Sequence, residues 1–198
     1  MPHLLYIHGF LSSPKSVKAV QVAEWLRENR SDIEYHCPFL TPYPEQTRIT
    51  LETMVQILKP EGLYLMGSSL GGFWATWLAE KYDLKAVLIN PAVELSVFKS
   101  EYINSELKNY HTEDTYYLTD DHVEHFRQVD TPTVRRNQNY WLMVQTGDET
   151  LDYRLAINKY RRCRQLVEEG GDHSFRDFCR HIPAAIEFLT EALLSEGI

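Results

Sequence analysis

Gly67-Ser68-Ser69-Leu70-Gly71 is the segment of this 198-residue chain best suited to covalent chemistry. It matches G-x-S-x-G with Ser69 in the central place, between an apolar run, Leu63 to Met66, and an amphipathic one, Leu70 to Tyr82. A serine on so tight a strand-to-helix turn is held in a strained conformation that presents its hydroxyl at the sheet edge. A Cβ at position 67 or 71 would crowd the turn, and the helix N-terminus beside it favours developing negative charge. Ser68 can serve as a cap for the same helix and is not read as a second nucleophile. A serine hydroxyl is a weak nucleophile at neutral pH and needs a base. With this turn the base follows the serine and an acid in chain order. That order selects His173, in Gly170-Gly171-Asp172-His173-Ser174-Phe175, from eight histidines. The acid is expected after the strand Trp141 to Gln145, where Asp148, Glu149 and Asp152 are available. Asp148 is preferred because it directly follows Gly147 and Leu151 can then turn back into the core; Asp152 and Glu149 are the alternatives. Two backbone amides are needed for an oxyanion, and they fall on Leu70 and on Phe10, in the loop His8-Gly9-Phe10. Phe10, Leu11, Leu40, Tyr43 and aromatics of the segment 94–139 are expected to line an acyl pocket.

The elements that must position these groups alternate. Strand-like runs are read at Leu4–Ile7, Ile33–Cys37, Leu63–Met66, Ala86–Ile89, Trp141–Gln145 and Cys163–Glu168. Helical patterns lie between them. One opens at Pro14 behind Ser13, with Val17, Val20, Trp25 and Leu26 facing inward; others cover Thr50–Leu58, Leu70–Tyr82, Leu151–Arg162 and Ile182 to about Leu194. Pro183 falls in the first turn of the last one or breaks it, and Pro38, Pro42 and Pro44 mark an irregular loop. Such alternation predicts one α/β domain over 1–198, with a mostly parallel sheet of about six strands and helices on both faces. The alternation fails between Pro91 and Asn139. That stretch is too long for a bare loop, so 94–139 is expected to be a cap-like insertion of short helices over the sheet.

The formal charge of −8 argues against nucleic acid and anionic membrane as partners, since a net acidic surface repels phosphate. Three cysteines, Cys37, Cys163 and Cys179, show neither disulfide nor zinc spacing. The start of the chain lacks the pattern of a signal peptide, and no apolar run approaches the ~20 residues that span a bilayer, so the expected compartment is the cytoplasm. No cofactor is implied. His122 and His125 have H-x-x-H spacing behind Asp120-Asp121, but a solvated acidic helix start is preferred to a metal site there. Oligomeric state leaves no mark on the sequence.

Taken in order, Leu5 to Ser16, Gly67 to Leu78, Asn90 to Val93, Gln145 to Arg154 and Glu169 to Phe175 resemble the α/β-hydrolase superfamily, and in closer detail the YqiA-type bacterial esterases. The resemblance spans nearly the whole chain and is weakest in 94–139. It implies a three-layer α/β-hydrolase fold and hydrolysis of small acyl esters, with acyl-CoA thioesters as further substrates. It also implies the Ser69, Asp148 and His173 assignment. The same scaffold also serves acyl transfer to acceptors other than water, other hydrolases, and binding proteins without catalysis.

Overall fold

Parallel strands covered on both faces need apolar side chains in both directions, and β1 (His3–Ile7) has them. Leu5 and Ile7 point into one core, while Leu4 and Tyr6 point into another on the opposite side. The computed structural model describes residues 1–94 and 102–191. Its main sheet has the order β2-β1-β3-β4-β7-β8, and every neighbouring pair in it is parallel. The other strands are β2 (Glu34–His36), β3 (Leu63–Ser68), β4 (Ala86–Ile89), β7 (Tyr140–Gln145) and β8 (Arg164–Glu168). α2 (Pro44–Leu58), α3 (Leu70–Tyr82) and α5 (Tyr153–Lys159) cover the first face; α1 (Val17–Asn29) and α6 (Ile182–Thr190) cover the second. This is the three-layer α/β arrangement expected from the sequence, with six strands in the main sheet.

Several boundaries differ from expectation for local reasons. α1 begins at Val17, because Ser13 Oγ accepts the Lys15 amide at 3.1 Å and closes a separate turn first. Its buried stripe is therefore Ala19, Val22 and Leu26; Val17 is 71% exposed and Val20 also lies outward. α2 begins at Pro44, earlier than Thr50, since a first-turn proline loses no hydrogen bond. α5 is shortened at its start because Asp152 caps it, Oδ1 accepting the Arg154 amide at 3.0 Å. Pro183 sits in the first turn of α6, and Leu193 and Leu194 lie outside the described residues.

The larger correction concerns 94–139. Its described part contains an antiparallel hairpin, β5 (Glu106–Lys108) and β6 (Thr115–Tyr117), as well as the helix α4 (Asp120–Gln128). Each hairpin strand buries only its middle residue, Leu107 or Tyr116, so the two-residue period is too short to stand out in sequence. Those two residues join Leu11 and Leu118 in a small third core. α4 does start acidic, and His122 Nδ1 accepts the Thr119 amide at 3.0 Å.

β1 and α3 pack with their backbones touching. A Cβ on Gly71 would fall well inside contact distance of the Ile7 carbonyl oxygen. Gly71→Ala is therefore expected to lower stability by about 1–3 kcal/mol or more through overpacking. Val17→Ser, at an exposed site, is expected to stay within about 0.5 kcal/mol. Urea denaturation midpoints of the two variants test this contrast.

Candidate active site

Ser69 occupies the turn between β3 and α3 with φ 56° and ψ −123°, outside the regions L-residues favour. Three hydrogen bonds hold the turn. The Ser69 amide donates to Ile89 O at 3.0 Å, and its carbonyl accepts the amides of Gly72 and Ala92, both at 2.9 Å. Ser69 Oγ lies 3.0 Å from Nε2 of His173. On the other side of the ring, Nδ1 lies 2.8 Å from Asp148 Oδ2 and 3.0 Å from Oδ1. The Asp148 side chain is 2% exposed, and Oδ1 also accepts the amides of Thr150 at 2.9 Å and Leu151 at 2.8 Å. A carboxylate placed on Nδ1 favours the tautomer with the proton on that nitrogen, which leaves Nε2 to face the serine hydroxyl.

The three carboxylates after β7 have separate tasks. Asp148 meets the imidazole, Glu149 Oε2 accepts the His173 amide at 3.0 Å, and Asp152 caps α5 and pairs with Arg154. Asp172, the neighbour of His173, pairs with Arg176 at 2.8 Å.

Two buried amide side chains, which the sequence reading passed over, hold the histidine loop. Asn90 Nδ2 donates to the carbonyls of Asp172 at 3.0 Å and His173 at 3.1 Å, and its Oδ1 accepts the Gln145 amide at 3.0 Å. Gln145 Oε1 accepts the amides of Asp172 at 3.2 Å and Arg176 at 2.8 Å. The available signal was position: each is a polar residue at the carboxyl end of an otherwise apolar strand.

The loop after β1 presses against the serine. A Cβ on Gly9 would stand 3.2 Å from Ser69 Cβ and 3.7 Å from its Oγ. Leu70 opens α3, and the first amides of a helix have no intrahelical acceptor. His8 is buried beneath this loop. Its Nε2 accepts the Leu40 amide at 3.0 Å and its Nδ1 lies 3.0 Å from Gly9 O, while burial lowers its pKa, so the ring braces the loop as a neutral group.

A cavity of about 530 Å³ opens above Ser69 and His173. Phe10, Pro91, Val93, Leu151 and Leu155 give it apolar walls, and Tyr102 and Tyr110 reach it from the insertion. Ser12, Ser16 and Lys18 form a polar side. Lys18 Nζ donates to Ser174 O at 2.6 Å, and burial lowers its pKa to about 8. Leu11, Leu40 and Tyr43, expected at the acyl pocket, lie away from this cavity. Leu11 packs under the hairpin, Leu40 belongs to the core beside Leu70 and Trp74, and Tyr43 stacks edge-on against Tyr116. Apolar residues next to the motif are used to hold the loops that carry it.

Known proteins supply the wider frame. Residues 3–190 match the family model described as Uncharacterised protein family (UPF0227). A UPF0227 protein of Pectobacterium atrosepticum is 22% identical over 191 residues, covering 94% of this chain and 98% of the relative. The UPF0227 protein YcfP of Salmonella gallinarum is 22% identical over 194 residues, with the same two coverages, 94% and 98%. Among solved structures, Est1E of Butyrivibrio proteoclasticus with bound ferulic acid matches at TM-score 0.70 and 17% identity, over 95% of this chain and 88% of that one. A monoacylglycerol lipase of Paleococcus ferrophilus matches at TM-score 0.69 and 13% identity, over 94% and 93%. The fold is thus that of the α/β-hydrolases, and the chain belongs to the UPF0227 family of YcfP/YqiA-type proteins.

Proposed function

We propose that this protein is a serine esterase that cleaves small acyl esters, and acyl thioesters by the same route, through an acyl-enzyme. The observation that carries the reading is the continuous Asp148–His173–Ser69 contact, 2.8 Å and 3.0 Å long, on a serine in a strained turn. His173 Nε2 takes the hydroxyl proton as Ser69 Oγ bonds to the ester carbonyl carbon. The carbonyl π pair moves to oxygen, which the amides of Phe10 and Leu70 receive. Each such donor typically contributes about 3–4 kcal/mol to the transition state. When that pair returns, the C–O or C–S bond breaks and the leaving group takes the proton from Nε2. Water then repeats the sequence against the acyl-enzyme and releases the acid. Asp148 keeps its charge throughout and stabilises the imidazolium. The apolar walls of the cavity suit a small acyl or alcohol group, and no step calls for a metal or cofactor. Among the described residues no helix is long and apolar enough to cross a membrane.

A fluorophosphonate probe is expected to label wild type with one adduct, on Ser69, and to leave Ser69→Ala unlabelled. Mass spectrometry that finds no adduct on Ser69 would overturn the reading. Hydrolysis of p-nitrophenyl esters and acyl-CoAs is expected from wild type and lost in Ser69→Ala. Asp148→Asn is expected to lower kcat on the same esters by about 10⁴ with little change in KM. Asn90→Ala leaves the triad intact but releases the histidine loop. It is expected to lower kcat by roughly 10²-fold, the usual result of misplacing a catalytic group by about 1 Å. An unchanged kcat would remove Asn90 from the positioning scheme.

A further inference from the structure

Far from Ser69, at the amino end of the sheet, three side chains with metal-binding atoms meet between β1 and β2. Residues two apart on a strand share a face, which places Glu34 and His36 together. The parallel register pairs His3 with Glu34 and sets His36 opposite Leu5, so His3 faces both. His3 Nδ1 lies 3.1 Å from His36 Nε2. The Glu34 carboxylate straddles the two nitrogens, Oε2 at 3.5 Å from His3 Nδ1 and Oε1 at 3.8 Å from His36 Nε2. All three donors fall within 4.8 Å of one another, and this is the metal-competent group among the described residues.

We propose that His3, His36 and Glu34 bind a divalent transition-metal ion such as zinc, cobalt or nickel, at a site separate from the catalytic one. Imidazole nitrogens and a carboxylate are the donor set such ions prefer. With metal–nitrogen bonds of about 2.0–2.1 Å, a 3.1 Å nitrogen separation corresponds to an angle of roughly 100° at a shared ion. A direct hydrogen bond between the rings would account for their approach alone. It would not account for a carboxylate poised near both nitrogens instead of bonding to one. Glu61 Oε2, which accepts the Met1 amine at 2.8 Å, also lies 3.9 Å from His3 Nε2, the ring nitrogen turned away from His36. Carboxylates commonly face the remote nitrogen of a ligating histidine.

The access is right for an exchangeable ion. The side chains of His3 and His36 are 7% and 19% exposed, so the rings are fixed, while Glu34 at 50% opens to solvent. His3 and the His8-Gly9 turn stand at opposite ends of β1, roughly 17 Å apart along the strand. The ion would therefore fasten the three-residue edge strand β2 to β1 and take no part in acyl transfer.

Chain stripped with EDTA and titrated with zinc chloride by calorimetry is expected to bind one tight zinc. Its thermal midpoint is expected to rise by roughly 5 °C or more at a hundredfold excess over Kd. Glu34→Gln is expected to weaken that affinity at least tenfold and His36→Gln at least a hundredfold. A His122→Gln, His173→Gln double variant is expected to keep it. Tight zinc that survives in Glu34→Gln and His36→Gln, or no saturable binding by wild type, overturns the proposal. Should those variants fail to fold, histidine ring NMR of wild type decides. Zinc must then shift the His3 and His36 signals first, and shifts confined to other histidines overturn it.

Discussion

A serine held at φ 56° between a strand and a helix is the constraint around which the carboxyl edge of this sheet is built. Non-glycine residues in such regions typically carry about 1–3 kcal/mol of strain and persist only where the surroundings over-determine them. Here they do. The end of β4 bonds the serine amide, the chain just beyond it bonds the serine carbonyl, and the packing of Gly71 on Ile7 fixes how α3 leaves the sheet. The proposed nucleophile thus takes its direction from backbone, which side-chain motion cannot relax.

The imidazole and carboxylate need equal precision, but they stand on loops, which are intrinsically less rigid. Asn90 and Gln145 answer this by linking the histidine loop to the ends of β4 and β7 through a fully bonded set of buried amides. In a low-dielectric interior such bonds are strong, and each is costly to leave unmade. A turn of irregular backbone thereby acquires much of the rigidity of the strands.

Much of this was legible in sequence because it rests on local rules. The continuous apolar run Ala86–Ile89 declared a buried parallel strand, and the stripe along Leu70–Tyr82 declared its helix. Chain order placed Ser69, Asp148 and His173 after β3, β7 and β8, and these side chains are within hydrogen-bond reach. What escaped depends on contacts made by distant segments. Val17 and Val20 fit an inward pattern only if the helix starts at Pro14; a turn closed by Ser13 rotates them outward. The β5–β6 hairpin was hidden because each strand buries one residue, and Leu11, Leu40 and Tyr43 could not be told from pocket walls until their packing partners were known.

The hairpin does not hang free. The Tyr110 amide donates to Leu11 O at 2.8 Å and Asn109 Nδ2 donates to Ser12 O at 3.0 Å, so its tip is sewn to the loop that carries Phe10. The same segment sends Tyr102 against the Phe10 ring, with centroids 5.9 Å apart. Under the proposed esterase function, this contact links substrate preference mechanically to turnover. On the proposed reading, a lineage that lengthens or reshapes the hairpin to admit a new acyl group also tugs on the Phe10 amide proposed to receive the oxyanion, so drift in selectivity would call for compensating change in the first loop.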